Sequence, residues 1–484
     1  MRTLIGREKV IIPISKEDFL EDIVGSLKDH LGHALALHRK NADECAYLHK
    51  QYLGDHDIIS EKVRYDSSLI NNIDVENHFN KQVNFKKGFM YGNPIEYTIT
   101  NEKKINTDDL TYLNSYFTDC SKASLDIDKC QDLFEFGIAY QRLVPKRTEV
   151  LDIESEAPFE LVNMPVATTC LVYSNDIPNE KLFGLVICQE MNKVTKHLET
   201  VYQVYLPYRK INLDSRYDII KDIKQPYGYI PIIEFCLNKD RMGIIELVLE
   251  KGNTINKINS SQLDDIEENV NAFMALFNQK TDDDFLEKFR EFKKEKVIIL
   301  NTNNPQTPAD IKMLSSELDQ ESSNVFYERN LKAMYDIVAV PQASGNVTSG
   351  GDTGQARLLG NGWESAQNQA QVDQTYLEKY ERELLRNIIW ICKNTANCPV
   401  NEISVSDIAI KFNINMSNNL LVKAESLKML DEIKFPEKTA LTICGVTKDV
   451  DGVGKAWKEN KELVKKQEEE QQNAQKQTAI TNDK

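Results

Sequence analysis

The feature that most constrains this chain is a glycine-rich loop, residues 341–357, between two long amphipathic segments. Before the loop, apolar residues recur at helical spacing as far as Val338. After it, a second apolar stripe begins at Leu359 and continues to Cys392. Apolar residues three, four or seven positions apart lie on one face of an α-helix. The loop is therefore predicted to join two long helices, each of which needs a packing partner.

The loop has part of the pattern of a phosphate-binding loop. Gly345 and Gly350 have the Gly-x4-Gly spacing, but Gly351 and Asp352 stand where such a loop needs Lys and Ser or Thr. A carboxylate at that position repels phosphate groups. The favoured interpretation is a flexible connector that ends on a helix, with Asp352 as the N-cap and Gln355 reaching back as in a capping box.

Length and composition limit the class of protein. A chain of 484 residues is too long for one hydrophobic core, so about two to four structural units are expected. No run approaches the ~20 apolar residues of a membrane-spanning helix, and the N-terminus lacks the pattern of a signal peptide. Nine cysteines, an odd number without a Cys-x-x-Cys pair, predict reduced thiols. We expect a soluble protein that is made in a cytoplasm and contacts no membrane.

The net charge argues against tight binding of nucleic acid, and the motifs argue against catalysis. The formal net charge is -16, whereas tight DNA binding uses a basic face. Histidines between His30 and His56 and the acidic pairs near Asp264 and Glu267 either hold a metal or form solvated faces, and the solvated face is favoured. No serine-protease triad, HExxH motif, nucleophile elbow or complete phosphate-binding loop is present. We expect no enzymatic activity, no cofactor and no metal.

An insert separates two further predicted helices. Apolar spacing predicts one helix from about 242 to 277 and another from Leu314 to Val338, with a strand at 297–300 in the segment between them. This order suggests a small subdomain on a helical stalk. The other predicted elements are a helix at 16–50, a helix from Asn77 ended by Gly92, β-rich segments between 143 and 229, a strand over 401–416, short helices in 417–457 and a low-complexity tail.

Short motifs lie in a fixed order along the chain. They are Tyr52-Leu-Gly54 through Ile58, Tyr91-Gly-Asn-Pro-Ile95, Phe136-Gly-Ile-Ala-Tyr140, Ile230-Pro-Ile-Ile-Glu-Phe235 with Asn238, and the region from Tyr327 to Leu359. In type and order they resemble the portal protein family of long-tailed bacteriophages that infect Gram-positive bacteria. The glycine-rich loop departs from that family's simpler Ser-Gly-x-Ala form.

The resemblance implies an α+β fold of several domains. It is a portal-type fold with long stem and tunnel helices, a β-containing wing, a small α/β clip and a helical crown. The implied boundaries are 1–241 for the N-terminal part of the wing, 242–269 for the first stem helix, 270–312 for the clip, 313–340 for the second stem helix, 341–352 for the tunnel loop, 353–416 for the long helix and the C-terminal part of the wing, 417–460 for the crown and 461–484 for the tail.

The resemblance also implies a function and partners. The expectation is a homo-oligomeric, dodecameric ring at one capsid vertex, through which double-stranded DNA is packaged and ejected without sequence specificity. A terminase packaging motor, a head-tail adaptor, and the major capsid and scaffold proteins are the implied partners. The protein would be assembled in the host bacterial cytoplasm and located in the virion. ATP hydrolysis would belong to the separate motor.

The loop and the clip supply the candidate contact residues. Polar, uncharged loop side chains would contact DNA without binding it tightly, whereas each Lys or Arg would add phosphate contacts. The alternative is that the loop is merely exposed. The clip strand would offer an edge to neighbouring subunits or to the adaptor. The loop residues are Gln342, Ser344, Gly345, Asn346, Thr348, Ser349, Gly350, Gly351 and Asp352, and the clip residues are Val297, Ile298, Ile299 and Leu300.

Two other functions remain open at this stage. One is a DNA-processing enzyme, such as a nuclease or a terminase-like ATPase, which a hydrolysis assay would reveal. The other is a different head-tail connector or capsid structural protein, which ring symmetry in electron micrographs would distinguish.

Overall fold

The computed structural model describes residues 6–63, 70–100, 107–146, 156–191, 196–270, 273–277, 310–314, 320–342 and 362–415, with short stretches between 420 and 461. The chain divides into two units. The first contains Met1–Ala343 and Ser365–Ile414, and the second contains Ser344–Glu364 and Asn415–Lys484. Among the described helices, none is long and apolar enough to cross a membrane.

The first unit begins with helices around one short strand. These elements are β1 (Val10–Ile11), α1 (Lys16–Glu21), α2 (Ile23–Leu53), α3 (Ile58–Glu61) and α4 (His78–Tyr91). The single helix predicted at 16–50 is wrong, because Asp22 leaves the helical conformation and its side chain caps α2 by accepting the Gly25 N–H at 2.9 Å. The predicted end of α4 at Gly92 is confirmed.

A six-stranded sheet and a three-stranded sheet follow. The predicted β-rich region is confirmed, and the larger sheet has the order β1-β5-β6-β7-β8-β9, whereas the smaller has β10-β3-β4. The elements are β2 (Glu96–Ile99), α5 (Thr107–Asp119), α6 (Lys122–Phe136), β3 (Ile138–Pro145), β4 (Phe159–Met164), β5 (Thr169–Tyr173), β6 (Lys181–Met191), β7 (Leu198–Leu206), β8 (Arg209–Leu213), β9 (Ile219–Lys224) and β10 (Ile232–Cys236).

A long helical hairpin comes next, and its elements are α7 (Ile244–Val270), β11 (Phe273–Phe277), β12 (Asp310–Leu314) and α8 (Gln320–Ile337). The predicted helix to 277 is wrong, because α7 ends at Val270 and β11 pairs antiparallel with β12. Leu314 consequently lies in a strand and not in the second helix. Phe273 and Phe277 are four residues apart, a spacing that puts them on one face of a helix and also on one face of a strand.

The C-terminal part of the first unit is dominated by α9 (Trp363–Asn394). The predicted long helix is confirmed over these residues, whereas its predicted cap at Asp352 and Gln355 lies outside the described residues. The strand predicted over 401–416 is shorter, because among the described residues of this range only β13 (Ile408–Lys411) forms, antiparallel to β2. In the second unit, α10 (Leu420–Glu432) is a helix in the region where short helices were predicted. The mixed α+β fold class is confirmed.

Two buried lysines and two buried carboxylates join α6 to α9. Lys129 Nζ lies 2.6 Å from Glu381 Oε1 and 2.8 Å from Asp126 Oδ1, while Lys122 Nζ lies 2.6 Å from Asp126 Oδ2 and 3.2 Å from Glu381 Oε2. Tyr97 on β2 donates to Glu381 at 3.2 Å. Burial raises the pKa of Glu381, but the two lysines more than offset this effect and lower the pKa to about 2. The cluster is charge-balanced, which is the condition for tolerating buried ions.

Replacing Glu381 by Gln should destabilise the fold strongly. The substitution leaves two buried ammonium groups with one carboxylate, so we expect the free energy of unfolding to fall by about 3–5 kcal/mol in urea titrations. Glu383→Gln is the control: its carboxylate pairs with Lys181 at part-exposed positions, and its loss should cost less than about 1 kcal/mol. Equal losses in the two variants would contradict the assignment.

The same cluster predicts a pH dependence. The pKa of Glu381 is depressed in the folded state, from 4.5 to about 2. Its stabilising contribution is therefore complete above pH 4.5 and declines as the pH falls toward 2. The stability difference between the wild type and Glu381→Gln should shrink over that interval.

Candidate functional site: the stalk root

We call α7 and α8 the stalk, and residues 232–246 with their contacts the stalk root. The two stalk helices run antiparallel and are joined by polar contacts along their length. Lys251 Nζ lies 3.0 Å from Asn330 Oδ1, and Gln262 Nε2 lies 3.2 Å from Asn324 Oδ1. Ile255 is fully buried on the side of α7 that faces α8. The hairpin is thus one packed unit and not two separate rods.

A buried ion pair fixes the point where the sheet passes into the stalk. Glu234 lies in β10, and Arg241 binds both of its carboxylate oxygens at 2.8 Å. Tyr140 and Tyr173 donate to the same carboxylate at 2.8 and 2.7 Å. Burial raises the pKa of Glu234, but Arg241 and the tyrosine hydroxyls outweigh it and lower the pKa to about 2. Strands β3, β5 and β10 therefore each contribute a side chain to one buried hydrogen-bonded cluster immediately before α7.

Glycines allow the backbones at the root to approach closely. Gly137 has φ +81 and follows α6, and a Cβ there would lie 2.4 Å from the backbone of Arg241. A Cβ on Gly243 would lie 2.3 Å from the carbonyl oxygen of Glu135. Asn238 bridges the turn, since it accepts the Met242 N–H at 3.1 Å and donates to the Met242 carbonyl at 2.8 Å. Only glycine fits at the first two positions without moving the backbone.

The N-terminal segment closes the other side of the root. The Arg7 N–H donates to the Arg241 carbonyl at 3.0 Å. The Arg7 guanidinium binds Glu246, in the first turn of α7, and lies 2.8 Å from Glu44 on α2. Glu246 also accepts the Gly243 N–H at 3.1 Å. The start of α7 is therefore tied to α2 through one arginine whose side chain is almost fully buried.

An extended strap, residues 70–77, runs along α7. The N–H groups of Asn72, Asp74 and Glu76 donate to side chains of Asp264, Ser260 and Asn256, at 2.7, 3.0 and 3.0 Å. Two residues of extended chain span about 6.6 Å, and four residues of helix span about 6 Å. The spacings match, so alternate strap residues meet every fourth helix residue.

Glu76 connects the strap to both stalk helices. Its carboxylate accepts from Tyr327 on α8 at 2.7 Å and from Asn259 on α7 at 3.0 Å, and it lies 2.6 Å from His78 Nε2. Burial raises the pKa of Glu76, but the hydrogen bonds from Tyr327, His78 and Asn259 and the charge of His78 lower it overall. The Glu76 side chain thus connects the strap, α7 and α8.

The end of α8 leads directly into the predicted tunnel loop. The Val340 N–H donates to the Tyr335 carbonyl at 3.0 Å, the Ala339 N–H donates to the Asp336 carbonyl at 3.1 Å, and Ala339 has φ +49. This pattern is a Schellman motif, which ends a helix. Gln342 is the described member of the predicted loop set, and its side chain donates to the Leu331 carbonyl at 3.1 Å.

The remaining predicted contact residues, 344–352 in the loop and 297–300 in the clip, lie outside the described residues. Several of the histidines and acidic residues noted in the sequence have other partners. His38 contacts the Ala167 carbonyl, and Asp264 binds Lys62 and Asn72. In the described part of the chain, no group of three or more His, Cys, Asp or Glu residues has a geometry suited to a metal ion.

These features define a multi-domain α+β protein with a braced helical stalk that carries an inserted segment. Comparison with protein families gives a match to the family described as phage portal protein, SPP1 Gp6-like, over residues 32–476. The chain therefore belongs to this portal protein family, and its function is that of a phage portal. The family is structural, and it implies a location in the virion capsid and assembly into an oligomeric ring. A comparison with curated proteins found no match.

Sequence reasoning found the motifs at the root but missed their connection. Tyr140 and Glu234 were noted in separate motifs, and the register of β3 and β10 places them opposite each other. The available signal was a carboxylate inside the apolar run Ile-Ile-Glu-Phe-Cys, since such a group needs a cationic partner. Arg241, seven residues further on, is that partner. The strap gave no periodic signal of its own.

Gly137→Ala should test the close approach at the root. The strained φ and the clash with Arg241 should lower the free energy of unfolding by about 3 kcal/mol. Gly88→Ala is the matched control, because nothing lies within 4 Å of a Cβ on this glycine of α4, and it should stabilise the protein by about 0.5–1 kcal/mol. Urea midpoints that move in the same direction for both would contradict the close packing.

Proposed function

We propose that twelve copies of this chain form a ring around a central channel, through which double-stranded DNA enters and leaves the capsid. The observation that carries this proposal is the family match over residues 32–476. The braced stalk supports it, because a ring wall under load needs helices that keep a fixed position on the body. The domain boundaries in this proposal are those implied by the family resemblance, with 242–269 and 313–340 as the two stem segments. Strand β12 extends to Leu314 in the second segment, and α8 covers Gln320–Ile337 of it.

The clip assignment to 270–312 is supported by the β11–β12 pair. The two strands bring the start and the end of the inserted segment side by side in five paired positions. The sequence of an insert anchored in this way can vary without disturbing α7 and α8. We assign docking of the terminase motor and the head-tail adaptor to this segment, with Val297 to Leu300 as the contact strand. Capsid and scaffold proteins would contact the ring elsewhere, after assembly in the host cytoplasm.

The tunnel loop, 341–352, is assigned to the lumen. In support, the Schellman motif ends α8 immediately before Pro341, so the chain must leave the stalk axis at this position. The polar residues from Ser344 to Ser349 add no charge that could hold phosphate groups. DNA in a close-fitting channel lies within the ~8 Å screening length of the wall, so the charge of this loop matters for its passage.

Electron microscopy of the purified full-length chain tests the ring itself. Class averages should contain rings with an axial hole and one symmetry. A homogeneous monomer, or a particle without a hole, would rule the proposal out.

Asn346→Lys should slow DNA passage. Each copy then adds a cation to the loop, and phosphate contacts make movement slower and more dependent on salt. The measurement is the DNA packaging rate of particles built with the variant ring, at low and high salt. Asn346→Gln is the control, since it keeps an uncharged amide and should package like the wild type. Equal rates for the lysine variant and its control would exclude a position in the lumen.

Deleting 280–308 should impair docking of the motor and the adaptor while leaving the stalk intact. The deletion keeps β11 and β12, whose pairing closes the shortened segment. Co-sedimentation of the variant with the motor and the adaptor measures the effect, and circular dichroism checks the helical content. Normal docking by the deletion variant would refute the clip assignment.

A further inference from the structure

Each stalk helix has one face that no described element covers. On α7, the side of Ile255 faces α8, and the side of Asn256, Ser260 and Asp264 faces the strap. At 100° per residue, the third side carries Leu247, Glu250, Lys257 and Ser261, all of which are exposed. Leu247 has 45% of its surface accessible. This stripe is called the α7 open face.

The outward side of α8 has a similar stripe. Asn324, Tyr327 and Asn330 contact α7 or the strap residue Glu76, and Met334 is buried on the same side. The side that points away from Tyr327, Asn330 and Met334 carries Glu321, Val325, Glu328 and Lys332, spaced by three or four residues and all exposed. Val325 has 63% of its surface accessible. This stripe is called the α8 open face.

The charges on the two open faces are complementary at equal levels along the stalk. The contacts Lys251–Asn330 and Gln262–Asn324 set the levels, because they join residues opposite each other on antiparallel helices. By this register, Glu250 is level with Lys332, and Lys257 is level with Glu328. At each of these two levels, one helix therefore carries a negative charge and the other carries a positive charge.

Among the described residues, these charges have no strong partner. In the described residues, Glu250, Glu328 and Lys332 form no ion pair, and Lys257 lies 3.8 Å from Glu61 with both side chains 62% exposed. Because the open faces point away from the α7–α8 contact, the two stripes cannot meet within one copy. They can meet only between copies.

Copies related by rotation about a ring axis that runs parallel to the stalk keep the same level along the stalk, and a ring closes through head-to-tail contacts between two different faces. We propose that the α8 open face of one copy packs against the α7 open face of the next, with Glu250 paired with Lys332 and Lys257 paired with Glu328. Val325 then packs beside Ser261 of the neighbouring copy. This contact rests on the proposed ring and specifies which surfaces close it.

Charge reversal tests the contact. Lys332→Glu and Glu250→Lys each place like charges at every interface of the ring, so each should raise the concentration needed for half-assembly about tenfold or more. The double variant restores opposite charges and should assemble within about threefold of the wild type. Mass photometry over a dilution series measures the ring fraction. In about 1 M salt, where the screening length falls to about 3 Å, the single variants should recover.

A mismatched double variant separates pairing from net charge. Lys332→Glu with Glu21→Lys has the same net charge as the matched double, but Glu21 is an exposed residue of α1 and belongs to neither open face. It should remain as impaired as Lys332→Glu alone. Wild-type assembly by both single variants, or equal rescue by the two doubles, would overturn this contact while leaving the ring in place. A wild-type chain that forms no ring would instead overturn the proposed function.

Discussion

The buried ion pair between Glu234 and Arg241 is the contact on which the stalk depends. Glu234 belongs to a strand and Arg241 lies just before α7, so their bidentate pair fixes where the helix leaves the body. Arg241 has φ +58, a left-handed conformation that costs a non-glycine residue about 1–2 kcal/mol. The ion pair, the Arg7 N–H and the close approach of Gly137 hold the residue in that conformation.

The strap and the Glu381 cluster extend the same arrangement along the body. The strap fixes α7 by matching two residues of extended chain to four of helix, and Glu76 brings α8 into the same contact. The lysines of α6 hold α9 through Glu381. Buried charges with complete partners are tolerated, but a missing partner is costly. These contacts specify relative positions of helices, which apolar packing alone leaves less defined.

Much of the helical framework could be predicted from apolar periodicity. The long helices α2, α4, α7, α8 and α9 were all expected, because their stripes extend over several turns. Periodicity failed at β11, where Phe273 and Phe277 fit a helix and a strand equally, and pairing with β12 decides the outcome. It also missed the break at Asp22, which depends on one capping hydrogen bond. The root and the strap depend on contacts between distant segments, and a single sequence contains no direct signal for these. The loop and clip contacts stay predictions.

Hydrogen exchange under native conditions tests most directly whether the root is the fixed point of the stalk. The amides of β10 that pair with β3, and those of the second turn of α7, should exchange only through global unfolding, with the highest protection among the described residues. Those of β9, an edge strand whose residues are all exposed, should exchange much faster. Exchange at the root as fast as in β9 would contradict the account.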